Sequence, residues 1–188
     1  MPARISAWGL ITQNQQMYRD KIVATVVARS RPYDLWKFYE QAGYSVAHVD
    51  DVLCIPLTLR EMCASQMRQH YRWCITAEMG VSTLSGPLAP VIGIPLLTGI
   101  LLRWSIDMGW IYGLDMARLS NQKWVATQVI RHMNQVIWEG QSPLRPWSWQ
   151  RGVSIAGHFL LMGWGQELTW ADKVMAKIRS ELRARVGG

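Results

Sequence analysis

Apolar and polar positions follow helical spacing along most of the chain, and one block stands apart. From Met79 to Leu102, MGVSTLSGPLAPVIGIPLLTGILL, no charged residue occurs between Glu78 and Arg103. Its 24 residues suffice, as a count, to cross a bilayer core. Pro87, Pro90 and Pro95 fall inside the run, and proline both removes a backbone donor and disfavours helical dihedrals before it. The pattern therefore predicts a broken first half and continuous helix only from Pro95, a good first-turn residue. Pro95 to Arg103 spans about 12 Å at about 1.5 Å per residue, far short of a bilayer core of about 30 Å. Broken backbone at membrane depth survives only where protein or water satisfies it. The run reads as a helix, a Gly/Pro knuckle and a second helix, a hairpin buried in a core or dipped into one leaflet. The leaflet is the expectation, with Leu88, Val91, Gly93, Pro95, Leu97, Leu101 and Trp104 as membrane or partner contacts.

The rest of the chain reads as helices around that hairpin. Met17 to Ala28 predicts a short helix; Pro32 starts another that Gly43 ends, burying Leu35, Trp36, Phe38, Tyr39 and Ala42. Tyr44 to Val49 alternates weakly but lacks a partner strand, so it reads as a loop. Thr58-Leu-Arg-Glu61 has the form of a capping box, opening a helix over Leu59 to Thr76 with a narrow apolar side. After the knuckle, Leu97, Leu101, Trp104, Met108 and Ile111 make an apolar stripe, Arg103 and Asp107 can pair, and Gly113 supplies a left-handed stop. Ser120 can cap a helix to about Trp138 with Trp124, Val125, Val129, Met133, Val136 and Ile137 in line. Residues 140–151 form a Pro/Trp-rich linker, followed by a second uncharged run, Gly152 to Gly165, too short to span a bilayer. Residues 170–186 predict an amphipathic basic helix with Lys173, Lys177, Arg179, Arg183 and Arg185 placed for an anionic surface. A packed last helix with a solvated face is the plainer reading of the same residues. The fold class is all-α, an irregular helical bundle in a single domain over residues 1–188, organised around the Gly/Pro-broken hairpin.

Four pieces in the middle of the chain carry a family likeness. Ala77-Glu78-Met79-Gly80, Ile94-Pro95-Leu96-Leu97, Leu101-Leu102-Arg103 and Ile111-Tyr112-Gly113-Leu114-Asp115 resemble the EcsC family of bacterial proteins over roughly residues 50–130. The distinctive element is the closing Tyr112, Gly113 and Asp115. The family has an acidic residue before its Ile-Pro where this chain has Gly93, so any role of that carboxylate is missing here. The resemblance implies a membrane-associated helical protein accessory to a bacterial transporter or secretion machine.

Composition narrows the partners. Net charge is +7 and pI about 9.7, which favours an anionic membrane surface, nucleic acid or an acidic protein. Eleven Trp against two Phe suit either a Trp-rich core or interfacial placement. Three cysteines without a CxxC pattern fit a reducing compartment. The opening MPARISAWGL has no secretory-signal pattern, and the expectation is the cytoplasmic side of the inner membrane, peripheral or monotopic.

Reactive chemistry is sparse in the pattern. His48, His70, His132 and His158 are scattered; His70 and Cys74 could share a metal on one helical face but lack a second ligand pair. No GxSxG, HExxH or phosphate-loop motif occurs. Asp107 and Asp115 are the notable carboxylates, with a helix pair and a turn or cap as their structural roles. No catalytic residue, cofactor or metal is expected. The reading is a non-catalytic membrane-associated accessory protein. The alternative is a structural subunit of a large assembly. A nucleic-acid binder ranks last, since the basic residues are spread and form no known module.

Overall fold

The computed structural model describes residues 25–28, 32–84, 89–138 and 165–186, with side chains described over 25–28, 32–78, 96–136 and 168–186. The fold is all-α: α1 Pro32–Gln41, α2 Val49–Leu53, α3 Leu57–Leu84, α4 Ala89–Tyr112, α5 Leu119–Trp138 and α6 Gly165–Val186. Residues 25–28 add a helical turn before α1. The 140–151 linker, the 152–164 run and Leu88 lie outside the described residues.

Local chemistry sets the ends. Pro32 opens α1, where its missing N–H has no helical partner to lose, and Asp34 in the first turn pairs with Lys37 at 2.8 Å. Gly43 (φ +89°) closes it: the Gly43 amide donates to the Glu40 carbonyl at 3.0 Å and the Tyr44 amide to Tyr39 at 2.9 Å, a Schellman ending. The predicted loop after it holds, but a short helix not anticipated from the pattern, α2, follows. Its Asp51 carboxylate accepts from the His48 amide (2.8 Å) and the Ala47 amide (2.9 Å), which lowers its pKa. Gly113 (φ +86°) repeats the Schellman ending on α4, with Gly113 bonded to Trp110 at 3.2 Å and Leu114 to Gly109 at 2.8 Å.

Two boundaries correct the expectations. α3 starts at Leu57, with the Pro56 carbonyl accepting from Leu59 and Arg60. Thr58 therefore lies inside the helix and does not cap it, and Glu61 is free for other partners. The knuckle is also narrower than predicted: α3 runs through Gly80 to Leu84, and α4 begins at Ala89 instead of Pro95. Pro90, at the second position, forfeits nothing. Pro95, inside α4, removes one helix hydrogen bond.

α4 is the axis of the bundle and touches α1, α2, α3, α5 and α6. Leu97, Leu101, Trp104, Met108 and Ile111 are buried, as the stripe predicts, and so are Leu102, Ser105, Ile106, Asp107, Trp110 and Tyr112 between them. A helix apolar on all sides belongs in an interior. Burying each Leu, Ile or Met side chain contributes about 1.5–3 kcal/mol. Leu97 (2% exposed), Leu101 (0%) and Trp104 (1%) thus spend their apolar surface on the chain's own helices, not on lipid or a partner. Among the described residues no helix is long and apolar enough to cross a membrane. Val91, Gly93 and Pro95 lie on α4, beyond its described side chains.

Candidate functional site

The basic residues assigned to an anionic surface divide between contacts across helices and open solvent. α6 packs against α4, α5 and α3, with Ala171, Val174, Met175, Ile178 and Leu182 buried. Arg179 sits over Glu61 of α3, in direct contact with its carboxylate, and its Nε donates to the Tyr112 hydroxyl at 3.1 Å. Tyr112 in turn donates to Glu61 at 2.9 Å, and Arg183 reaches the same carboxylate at 2.9 Å. One α3 carboxylate therefore gathers two α6 guanidiniums and the last residue of α4. Arg60 adds a bond to the Tyr112 carbonyl at 3.1 Å, satisfying a helix-terminal acceptor. Burial pushes the Tyr112 phenol up to about 12. Arg185 lies over the Trp124 ring, 4.6 Å from its centroid. Lys173 is exposed and Lys177 half-buried. Arg183 and Arg185 make their contacts from exposed positions, so α6 keeps a basic outer side while Arg179 ties it to α3.

The same pattern recurs at two more junctions. Asp172 of α6 accepts from Arg68 at 2.9 Å and lies 3.5 Å from Arg72. On the α5–α6 face, Glu181 contacts Arg131 and lies 3.0 Å from His132 Nε2, while His132 Nδ1 is 3.0 Å from Gln135. Asp115 works locally, as expected: its carboxylate accepts from the Ala117 amide and from Arg118, both at 3.0 Å, and its carbonyl from Asn121 at 2.8 Å. That turn links the Gly113 stop to α5. Tyr112, Gly113 and Asp115 are thus a structural joint.

An open cleft of about 450 Å³ lies between α1 and α3, over α4. α3 lines it with Cys63, Gln66, Met67, His70 and Tyr71, which recur on one helical face; α1 adds Asp34, Leu35 and Phe38, and α4 adds Arg103 and Asp107. Asp107, only 4% exposed, accepts a 2.5 Å bond from the Tyr71 hydroxyl and one from Arg103 Nε at 3.3 Å. Arg103 also reaches the Val26 carbonyl at 3.4 Å. The predicted Arg103–Asp107 pair is present, and Tyr71, 36 residues earlier, completes it. Burial, followed by the neighbouring Asp107 charge, raises the Tyr71 pKa. Burial likewise pushes the Cys63 thiol up to about 11, so it stays protonated and unreactive at neutral pH. The volume suits a small molecule, and an apolar wall of Leu35, Phe38 and Met67 faces a polar floor whose charges are already matched. His70 Nε2 and Cys74 Sγ lie 3.8 Å apart. Among the described residues, no group of three His, Cys, Asp or Glu side chains is placed to hold a metal ion.

No family model, curated protein or solved structure matches the chain. The likeness to the EcsC family therefore rests on the residues that carry it.

Proposed function

We propose that this chain is a non-catalytic helical accessory protein that works by contact at the cytoplasmic face of a bacterial membrane, beside transport or secretion machinery. The observation that carries it is the use made of Glu61, Asp107, Asp172 and Glu181. Each is committed to arginine, tyrosine or histidine partners that hold helices together, a use suited to a rigid binding scaffold. The net charge of +7 supports an anionic surface as counterpart, and the EcsC likeness supplies the setting. Sedimentation with vesicles tests it: binding to anionic and not to neutral vesicles, reversed by salt, is the expected result. A protein that stays in the supernatant with anionic vesicles at low salt overturns the membrane setting. The second reading, a subunit of a larger assembly, is favoured by Trp73, a large apolar side chain left 70% exposed on α3.

A further inference from the structure

The outer face of α3 carries a seam of exposed, uncharged side chains. Thr58, Met62, Gln66, Gln69, Trp73 and Ala77 follow at steps of four, four, three, four and four, and all are exposed. Met62 is 53% and Trp73 70% exposed. Such steps keep side chains on one side of a helix, as in a coiled-coil seam. The seam lies opposite Ala64, Tyr71, Ile75 and Glu78, which the bundle buries; at its edges Gln66 borders the α1–α3 cleft and Gln69 and Trp73 border a groove toward Leu168 of α6. A wet helix face ordinarily carries charge; here none appears on the seam, in a chain of net charge +7. Charge depletion with Trp and Met prominent is the composition of the core of a protein interface.

The order of the seam points to its occupant. Thr58 and Ala77, Met62 and Trp73, and Gln66 and Gln69 are three pairs, each equidistant from a point between Met67 and Arg68. Two copies of α3 laid antiparallel about that point bring Met62 against the partner's Trp73, a thioether-on-indole contact. They bring Gln66 against the partner's Gln69, where each amide offers both donors and acceptors. Thr58 meets the partner's Ala77, and both are small enough for close approach. Two chains of charge +7 repel, and a neutral face is where they can meet; an isologous contact sets like elements of the two copies together. An anionic surface would instead be met by cations, and amides are poor company for lipid. The flanking Arg72 is held within its own chain by Asp172. We infer that the outer face of α3 is a homodimer seam, antiparallel and two-fold, with its axis between Met67 and Arg68. Met62 to Trp73 spans about 17 Å at about 1.5 Å per residue, the small end of interface sizes, so the dimer is reversible and concentration-dependent.

Sedimentation velocity of the full chain over a concentration series, in lipid-free buffer, tests this without reference to membrane binding. The expected result is a monomer–dimer equilibrium. Gln66→Glu with Gln69→Glu places carboxylates against carboxylates across the axis and weakens association by at least about tenfold, with helix content unchanged by circular dichroism. Gln66→Glu with Gln69→Lys restores the dimer, because in the antiparallel register position 66 faces the partner's 69 and opposite charges meet. In a parallel register like would face like, and no recovery would occur. Trp73→Ala also weakens the dimer, as a check independent of charge. A wild-type chain monomeric at every concentration overturns the inference and leaves the face to a different protein. A wild-type dimer indifferent to the double carboxylate, or a charge swap that does not restore association, overturns it equally.

Discussion

Replacing Gly113 by alanine separates two costs that the fold presents at one position, and Gly43 supplies the control. Both glycines end a helix in a Schellman motif, with φ of +86° and +89°. A Cβ in that conformation costs about 1–2 kcal/mol, and the narrower unfolded ensemble of alanine returns about 0.4–1 kcal/mol. Around Gly43 a Cβ meets nothing within 4 Å, so Gly43→Ala should cost about 1 kcal/mol from strain alone. At Gly113 the Cβ would lie 2.6 Å from Leu53 Cδ2 and 3.1 Å from its Cγ. Leu53 is 46% exposed, which lets it swing aside at the loss of its contact with the α4 ending. That adds about 1–2 kcal/mol, at the lower part of the overpacking range. For a chain of this size each kcal/mol moves the thermal midpoint by about 2–4 °C. Gly113→Ala should therefore melt several degrees below Gly43→Ala. Leu53→Ala in the Gly113→Ala background should add almost no further loss, since the contact is already gone, so the pair is non-additive. Calorimetry on the four variants checks it. Equal shifts at Gly43 and Gly113, or full additivity with Leu53→Ala, would refute the packing argument. No shift at either would refute the left-handed caps.

Three further outcomes follow from the same contacts. Glu61→Gln leaves the Arg179 and Arg183 guanidiniums without their anion and should cost about 2–3 kcal/mol, discounted from the fully buried case for partial exposure. A double-mutant cycle with Arg179→Gln should return a coupling of about 1 kcal/mol, and zero coupling by denaturant titration would contradict the pairing. Raising the pH should destabilise the fold between about 9 and 12, because burial lifts Cys63 from 9.0 to about 11 and Tyr112 from 10.0 to about 12. Unfolded chains lose these protons first and so bind fewer than the native state, which makes stability full below about 9 and falling above it; a flat urea midpoint across that window is the contrary result. Thiol labelling in buffer should modify exposed Cys54 first and buried Cys63 only with unfolding, read by mass spectrometry of the three cysteine peptides.

The features legible in the sequence are those whose causes are local. Gly43 and Gly113 mark helix ends because only glycine sits easily at positive φ, and Asp115 reads as a turn because a short carboxylate reaches the backbone two residues on. The stripe of Leu97, Leu101, Trp104, Met108 and Ile111 identifies a packed helix by period alone. Where that stripe packs is a non-local matter: an apolar helix looks the same to the eye whether lipid or protein surrounds it, and only α1, α3, α5 and α6 closing on α4 decide. The basic helix is legible only in part, for a related reason. Arg179, Arg183 and Arg185 have the spacing of a wet face, but long side chains reach across to Glu61 and to the Trp124 ring. Glu61 was three residues from Thr58, the spacing of a capping box, and the earlier start of α3 after Pro56 released it. The cleft was not legible, because α1, α3 and α4 each supply part of its lining. Its floor needed the long-range meeting of Tyr71 with Asp107.

The placement of α4 bears on everything else, and hydrogen exchange on the purified full chain measures it directly. In lipid-free buffer the amides from Leu97 to Tyr112 should be among the slowest to exchange in the described helices, opening only with global unfolding. Anionic vesicles should leave their protection unchanged. Rapid exchange of that segment in buffer, slowed only when vesicles are added, would mean that lipid and not the bundle surrounds it.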